Sequence, residues 1–181
     1  MATLTNTLEV PEKVTVTIKE NIVTIKGPKG EVIKTLNLPT VTLKLEGNMI
    51  HIDTTIKRPN KNQKMYINTF ASHIKNMIRG VQHPYKASLK VCSGHFPITV
   101  AIEGTSVVVK NFLGEKSPRK STIMSGVKVV VQGDIITLEG ADIDHVSQTA
   151  ARIEQSTRIT NRDRRIFQDG CYIIQKPGDE E

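Results

Sequence analysis

Tryptophan is absent from this chain, and only three tyrosines and four phenylalanines stand among its 181 residues. Proteins that read single-stranded nucleic acid stack bases on exposed rings, so this composition argues first against a stacking platform. Phe70 and Phe167 sit in apolar contexts and read as core, which leaves few spare rings. Cysteine is scarce too, with Cys92 and Cys171 the only two. A structural zinc site needs four ligands. Cys92-Ser93-Gly94-His95 offers two, and no second pair stands at ligand spacing. Neither a metal site nor a cofactor is expected. The opening Met1-Ala2-Thr3-Leu4-Thr5-Asn6 has no basic region and no apolar region of a secretion signal. The two thiols therefore read as reduced and buried rather than as a disulfide. No apolar run approaches the roughly 20 residues that cross a bilayer. These absences predict a soluble protein of a reducing compartment with no membrane partner.

Catalytic signatures are lacking as well. GxSxG, HExxH and GxGxxG do not occur. Lys26-Gly27-Pro28-Lys29-Gly30 has the look of a phosphate loop but not its Gly-Lys-Ser/Thr ending, and no helical pattern follows it. It reads as a turn between strands. Asp142-Ile143-Asp144-His145 could be drawn as an acid–base cluster. At a helix start, however, such acids cap free N–H groups and suit the dipole. No enzyme is expected.

What the chain does contain is the same small unit twice. Val16-Thr17-Ile18, Val23-Thr24-Ile25-Lys26 and Gly30-Glu31 return eighty-four residues later as Val100-Ala101-Ile102, Val107-Val108-Val109-Lys110 and Gly114-Glu115. Gly47-Asn48-Met49-Ile50-His51-Ile52 is answered by Gly133-Asp134-Ile135-Ile136-Thr137-Leu138, now eighty-six residues on. A period present only twice signals a duplicated domain rather than a solenoid, which needs at least three units.

Within each copy, short β-branched runs separated by Gly, Pro and Asn read as an antiparallel sheet. From Ile67 the period changes: Phe70, Ala71, Ile74, Met77, Ile78 and Val81 form one helical stripe, which Gly80 is expected to help end. The second copy runs in strands from about Lys86 to Leu138, then in a helix carrying Val146, Ala150 and Ile153, opened by Asp142 and Asp144. The expected fold is α+β: two tandem similar domains, 1–82 and 83–181, each a small mainly antiparallel β-sheet covered by one α-helix. Arg158–Lys176 reads as an extension beyond the second helix, followed by an acidic tail.

Lys and Arg exceed Asp and Glu by 25 to 18, a formal charge of +7, which favours a polyanionic partner. The cations gather in three places. Lys57, Arg58, Lys61 and Lys64 read as a loop leading into the first helix. Lys110, Lys116, Arg119 and Lys120 surround Asn111 and Phe112 in a turn. Arg158, Arg162, Arg164 and Arg165 fall within eight residues, and arginine's planar fork grips phosphate at two points. With few spare rings, binding should run through the phosphates and 2′-hydroxyls of double-helical RNA, recognised by shape. About eight neutralised phosphates would give a log–log salt slope near −7. A solvated surface on a free-standing protein-interaction module remains the alternative reading of the same clusters.

Several stretches resemble one family. They are Val10-Pro11-Glu12-Lys13-Val14, Tyr85-Lys86, Gly94-His95-Phe96-Pro97-Ile98, Val109-Lys110-Asn111-Phe112-Leu113-Gly114, Val146-Ser147-Gln148, and the run Asn161-Arg162-Asp163-Arg164-Arg165-Ile166-Phe167-Gln168-Asp169-Gly170-Cys171-Tyr172-Ile173. Together they are similar to the universal large-subunit ribosomal protein "L six", named "L nine" in eukaryotes. The closing run is similar to its archaeal and eukaryotic branch. The resemblance implies a structural role on the cytosolic ribosome, with ribosomal RNA bound near the sarcin–ricin loop and the elongation-factor site. It implies neighbouring ribosomal proteins as partners, and translation factors at that site. It makes the second domain the main anchor, through Lys110, Asn111, Arg119, Lys120, Arg158, Arg162, Arg164 and Arg165, with Lys57, Arg58, Lys61 and Lys64 contributing less.

Overall fold

Alternating β-branched residues turn one face of each strand to the core and the other to water. In the first unit this pattern builds β1 (Thr5–Glu9), β2 (Thr15–Lys19), β3 (Ile22–Gly27), β4 (Gly30–Thr35), β5 (Val41–Glu46) and β6 (Met49–Thr54). They pair antiparallel in two sheets, β1-β6-β5 and β2-β3-β4. Val23, Ile25, Ile50 and Ile52 face inward and are fully buried. Helix α1 (Lys61–Gln82) lays Ile67, Phe70, Ile74, Met77 and Val81 against both sheets. The computed structural model describes residues 5–19, 21–37, 40–56, 60–163 and 165–178, and divides into two units, Met1–Pro84 and Tyr85–Glu181.

The second unit contains β7 (Tyr85–Cys92), β8 (Thr99–Glu103), β9 (Ser106–Lys110), β10 (Arg119–Thr122), β11 (Val127–Gln132), β12 (Ile135–Gly140), α2 (Ile143–Ser156) and β13 (Gly170–Gln175). Its sheets are ordered β10-β9-β8 and β11-β12-β7-β13. The pairing plan of the first unit returns: β7-β12-β11 repeats β1-β6-β5, and β8-β9-β10 repeats β2-β3-β4. The α+β duplication is therefore visible in connectivity as well as in sequence. Each unit divides its strands between two sheets where one was expected. A helix about 10–12 Å wide covers only two or three strands spaced about 4.8 Å apart. Two small sheets can share one helix, and in the second unit Leu89, Val107, Phe112, Leu138, Val146 and Ile153 join in a single core.

Four local features differ from the sequence reading. Helix α1 starts at Lys61, well before Ile67. Asn60 Oδ1 accepts from Asn62 N at 3.0 Å and Gln63 N at 3.3 Å, while Gln63 Oε1 accepts from Asn60 N at 3.1 Å. This reciprocal cap places Lys61 and Lys64 on the exposed first turns of the helix rather than in a loop. Gly80 lies buried inside α1, which ends at Gln82. His83 is extended ahead of Pro84, as the proline ring demands of its predecessor. The match of Gly30 with Gly114 does not survive in space. Gly30 opens β4 directly, whereas Gly114 sits in a short 3-10 turn, Phe112–Gly114, and β10 begins only at Arg119.

The fourth difference is β13, formed from part of the segment read as an extension. It pairs with β7, setting Cys171 opposite Val91 and Ile173 opposite Leu89. On its outer side the Cys171 amide donates to Thr157 Oγ1 at 3.0 Å and the Ile173 amide to Glu154 Oε1 at 3.1 Å. Cys171 is wholly buried, and burial pushes its thiol up to about 11. It faces away from Cys92, because Cys92 lies opposite Gly170 and the two cysteines fall on alternate faces of the ladder.

Gly27 shows how closely sheet and helix meet in the first unit. A Cβ placed there would lie 2.7 Å from Val81 Cγ2 and 2.9 Å from the Val81 carbonyl oxygen. Gly27→Ala is expected to destabilise the protein by about 1–3 kcal/mol in urea unfolding. A loss of only a few tenths would show that the β3–β4 turn does not close on the end of α1.

Candidate nucleic-acid interface

The connection from β9 to β10 bends through left-handed backbone at Asn111 (φ 60°) and Leu113 (φ 50°). Asn tolerates that region better than other side-chain-bearing residues, and Asn111 Nδ2 also donates to the Pro97 carbonyl at 3.0 Å. The bend drives Phe112 into the core, where it is 1% exposed. The guanidinium of Arg119 lies over that ring, 4.2 Å from its centroid. Its Nε and Nη2 grip Glu115 at 2.8 and 2.6 Å. Its Nη1 donates to the carbonyls of Ser156 at 2.9 Å and Arg158 at 3.2 Å. A cation on the last carbonyls of a helix satisfies acceptors that have no intrahelical partner and opposes the dipole. Glu115 is held below its ordinary value, chiefly by the hydrogen bond from Arg119. The fork expected to meet phosphate is thus engaged inside the protein, and it fixes the β9–β10 loop to the end of α2.

A second tie uses a carboxylate. Asp169 is wholly buried, and its Oδ1 accepts from Gly94 N at 2.6 Å and His95 N at 3.2 Å. His95 Nδ1 stands 3.5 Å from the same oxygen. The His95 ring stacks on Phe167 with centroids 4.9 Å apart, and Arg162 lies over Phe167 at 4.9 Å. Burial works to raise the Asp169 carboxyl. Hydrogen bonds from the amides of Gly94, His95 and Phe96 and from the His95 ring outweigh it and hold the group below its usual value.

These bonds join residues 94–98, 111–119 and 156–169 at one end of the second unit. Lys110, Asn111, Lys120, Arg158 and Arg162 lie on or next to these segments, all exposed. Lys110 pairs with Glu103 at 3.2 Å, and Arg165 with Asp163 at 2.9 Å, both at the surface. Such pairs contribute little in water, so a phosphate can replace the carboxylate. Lys61 and Lys64 stand on α1 in the other unit. Lys57, Arg58 and Arg164 lie outside the described residues. Sequence reasoning missed the scaffolding residues Glu115, His95 and Asp169; the Asp169 partners Gly94 and His95 are more than seventy residues away, whereas Glu115 stands only four residues from Arg119.

Comparison with known proteins finds the two-copy layout again. The profile of the family "Ribosomal protein L6" matches the chain twice, at residues 10–83 and 96–170. The large ribosomal subunit protein uL6 of Methanosarcina mazei is 42% identical over 173 residues, covering 96% of this chain and 97% of that protein. Its namesake from Saccharolobus solfataricus is 43% identical over 170 residues, covering 93% of each. The protein of the same name from Desulfurococcus amylolyticus is 44% identical over 172 residues, covering 93% of this chain and 92% of its own.

The depressed Asp169 value carries a sign that can be measured. Its folded-state pKa lies below the unfolded one, so its contribution is complete above about pH 4 and is lost as pH falls through the folded value. Asp169→Asn should be less stable than the parent at neutral pH, and the difference should shrink as urea unfolding is moved below that point. A difference independent of pH would show that charge on Asp169 does not hold the 94–98 loop.

Proposed function

The chain belongs to the ribosomal protein L6 family, and from that premise we propose that it is a structural constituent of the large ribosomal subunit that binds folded ribosomal RNA. The observation that carries this reading is similarity across both repeats to proteins of that subunit, none of which is an enzyme by name. The second unit is the main anchor. Lys110, Asn111, Lys120, Arg158, Arg162, Arg164 and Arg165 face phosphates and 2′-hydroxyls, while Arg119 holds the loop and the helix end that present them. Lys57, Arg58, Lys61 and Lys64 make a weaker contact from the first unit. The site on the subunit is the region of the sarcin–ricin loop and the elongation-factor landing site, which rests on the family resemblance. Other large-subunit proteins are neighbours, translation factors are visitors, and the ribosome concerned is cytosolic.

Double-helical RNA suits this surface. Its exposed guanidinium and ammonium groups contact backbone rather than base edges, and A-form grooves are recognised by shape and 2′-hydroxyls. Sedimentation of cell lysate through sucrose tests the assignment. The protein should travel with large subunits, and release in mild, low-salt buffer would favour the free-standing interaction module instead. On purified RNA, replacing Lys110, Lys120, Arg158 and Arg162 by Ala should weaken binding and flatten the log–log salt dependence by about one unit per lost phosphate. Arg119→Ala should instead cost about 2 kcal/mol of stability and leave that slope within one unit of the parent. An unchanged slope in the fourfold variant would show those cations facing solvent or protein.

A further inference from the structure

Beside the proposed anchor lies a cleft of about 910 Å³, bordered by the end of α2, residues 92–94 and residues 167–172. Its volume falls in the range of small-molecule sites, about 300–1,000 Å³. Ser93, Gln155 and Gln168 line it with groups that both donate and accept, and among the described residues Arg158 is its cation and Glu154 its acid. Glu154 already accepts the Ile173 amide. Two rings reach it. Phe167 is engaged by His95 and Arg162. Tyr172 is 40% exposed, and its hydroxyl donates to the Asp169 carbonyl at 3.3 Å, which fixes the ring at the cleft wall. Gly170, at φ 149°, allows this: a Cβ there would stand 3.4 Å from both Tyr172 Cε2 and Thr157 Oγ1.

A fixed ring face, amides able to meet either kind of base edge and a guanidinium at the lip match the parts of one nucleotide. We propose that this cleft seats a single unpaired nucleotide extruded from the bound RNA, its base stacked on Tyr172 and its phosphate at Arg158. The inference rests on reading the chain as an RNA-binding protein. It adds one point of irregularity to a surface that otherwise grips regular helix. A chain with few aromatics needs only one ring for this, provided the backbone holds that ring in place. Peptide is the poorer occupant, because strand addition along β13 would have to displace bonds already made there: the outward amides of Cys171 and Ile173 are bonded to Thr157 and Glu154.

Two RNA hairpins test the idea with the full chain, one fully paired and one identical except for a single bulged 2-aminopurine. The protein should bind the bulged hairpin roughly tenfold more tightly and quench the probe's fluorescence. Tyr172→Phe should keep the preference, and Tyr172→Ala should lose it while binding the paired hairpin as the parent does. Equal affinity for the two hairpins with unquenched fluorescence would overturn the cleft assignment and leave the phosphate surface standing. Binding to neither hairpin would overturn the RNA reading and the cleft with it.

Discussion

The guanidinium of Arg119 meets a ring, a carboxylate and two main-chain carbonyls at once, and the basic end of the second unit is built around it. A lone cation at that depth would be costly, since it is partly withdrawn from water. Here each polar atom of the fork finds a partner and the flat face lies on Phe112, so the cost is offset by directional bonds. The effect is to lock residues 112–119 to the end of α2, two stretches that are far apart in sequence. Exposed cations near such a lock have fewer conformations to lose when an anion arrives, and preorganised groups bind better for that reason. One arginine kept inside makes the arginines and lysines outside more effective.

The two copies differ where this lock stands. In the first unit a tight turn joins β3 to β4. In the second the matching link is longer, left-handed at two residues that are not glycine, and rich in contacts. The sheets, their pairing order and the helix were retained, while one connection lengthened and acquired chemistry. A rigid scaffold that carries its specialised residues on a loop is a common division of labour. The unit with the plainer turn keeps its positive charge on helix α1 instead, where Lys61 and Lys64 occupy the end at which the dipole disfavours cations.

Much of the architecture was legible because period carries it. Val, Ile and Leu at alternate positions mark the strands, and the Ile67–Val81 stripe marks the helix, since both patterns are local. The duplication could be read from matching runs alone. The start of α1 was also legible in principle, because Asn60 and Gln63 stand at the spacing of a reciprocal cap, yet the apolar stripe drew attention to Ile67. Strand β13 was harder. Cys171-Tyr172-Ile173-Ile174 is too short a run to announce a strand without knowing that β7 has an open side. The engagement of Arg119 could not be read at all, because its two carbonyl partners lie at and just past the end of the next helix and main-chain oxygens leave no mark in a sequence. Arginine count shows capacity for anions; only packing shows which arginines have other work.

The outer side of β13 has a further consequence. Strands left open at a sheet margin invite a like strand from another molecule, and from such encounters fibrils and precipitates grow. Here a hydroxyl and a carboxylate from α2 already occupy the outward amides of Cys171 and Ile173. A freshly synthesised copy, before any partner covers it, therefore offers a poorer template along that margin, since an incoming strand must first displace these two bonds.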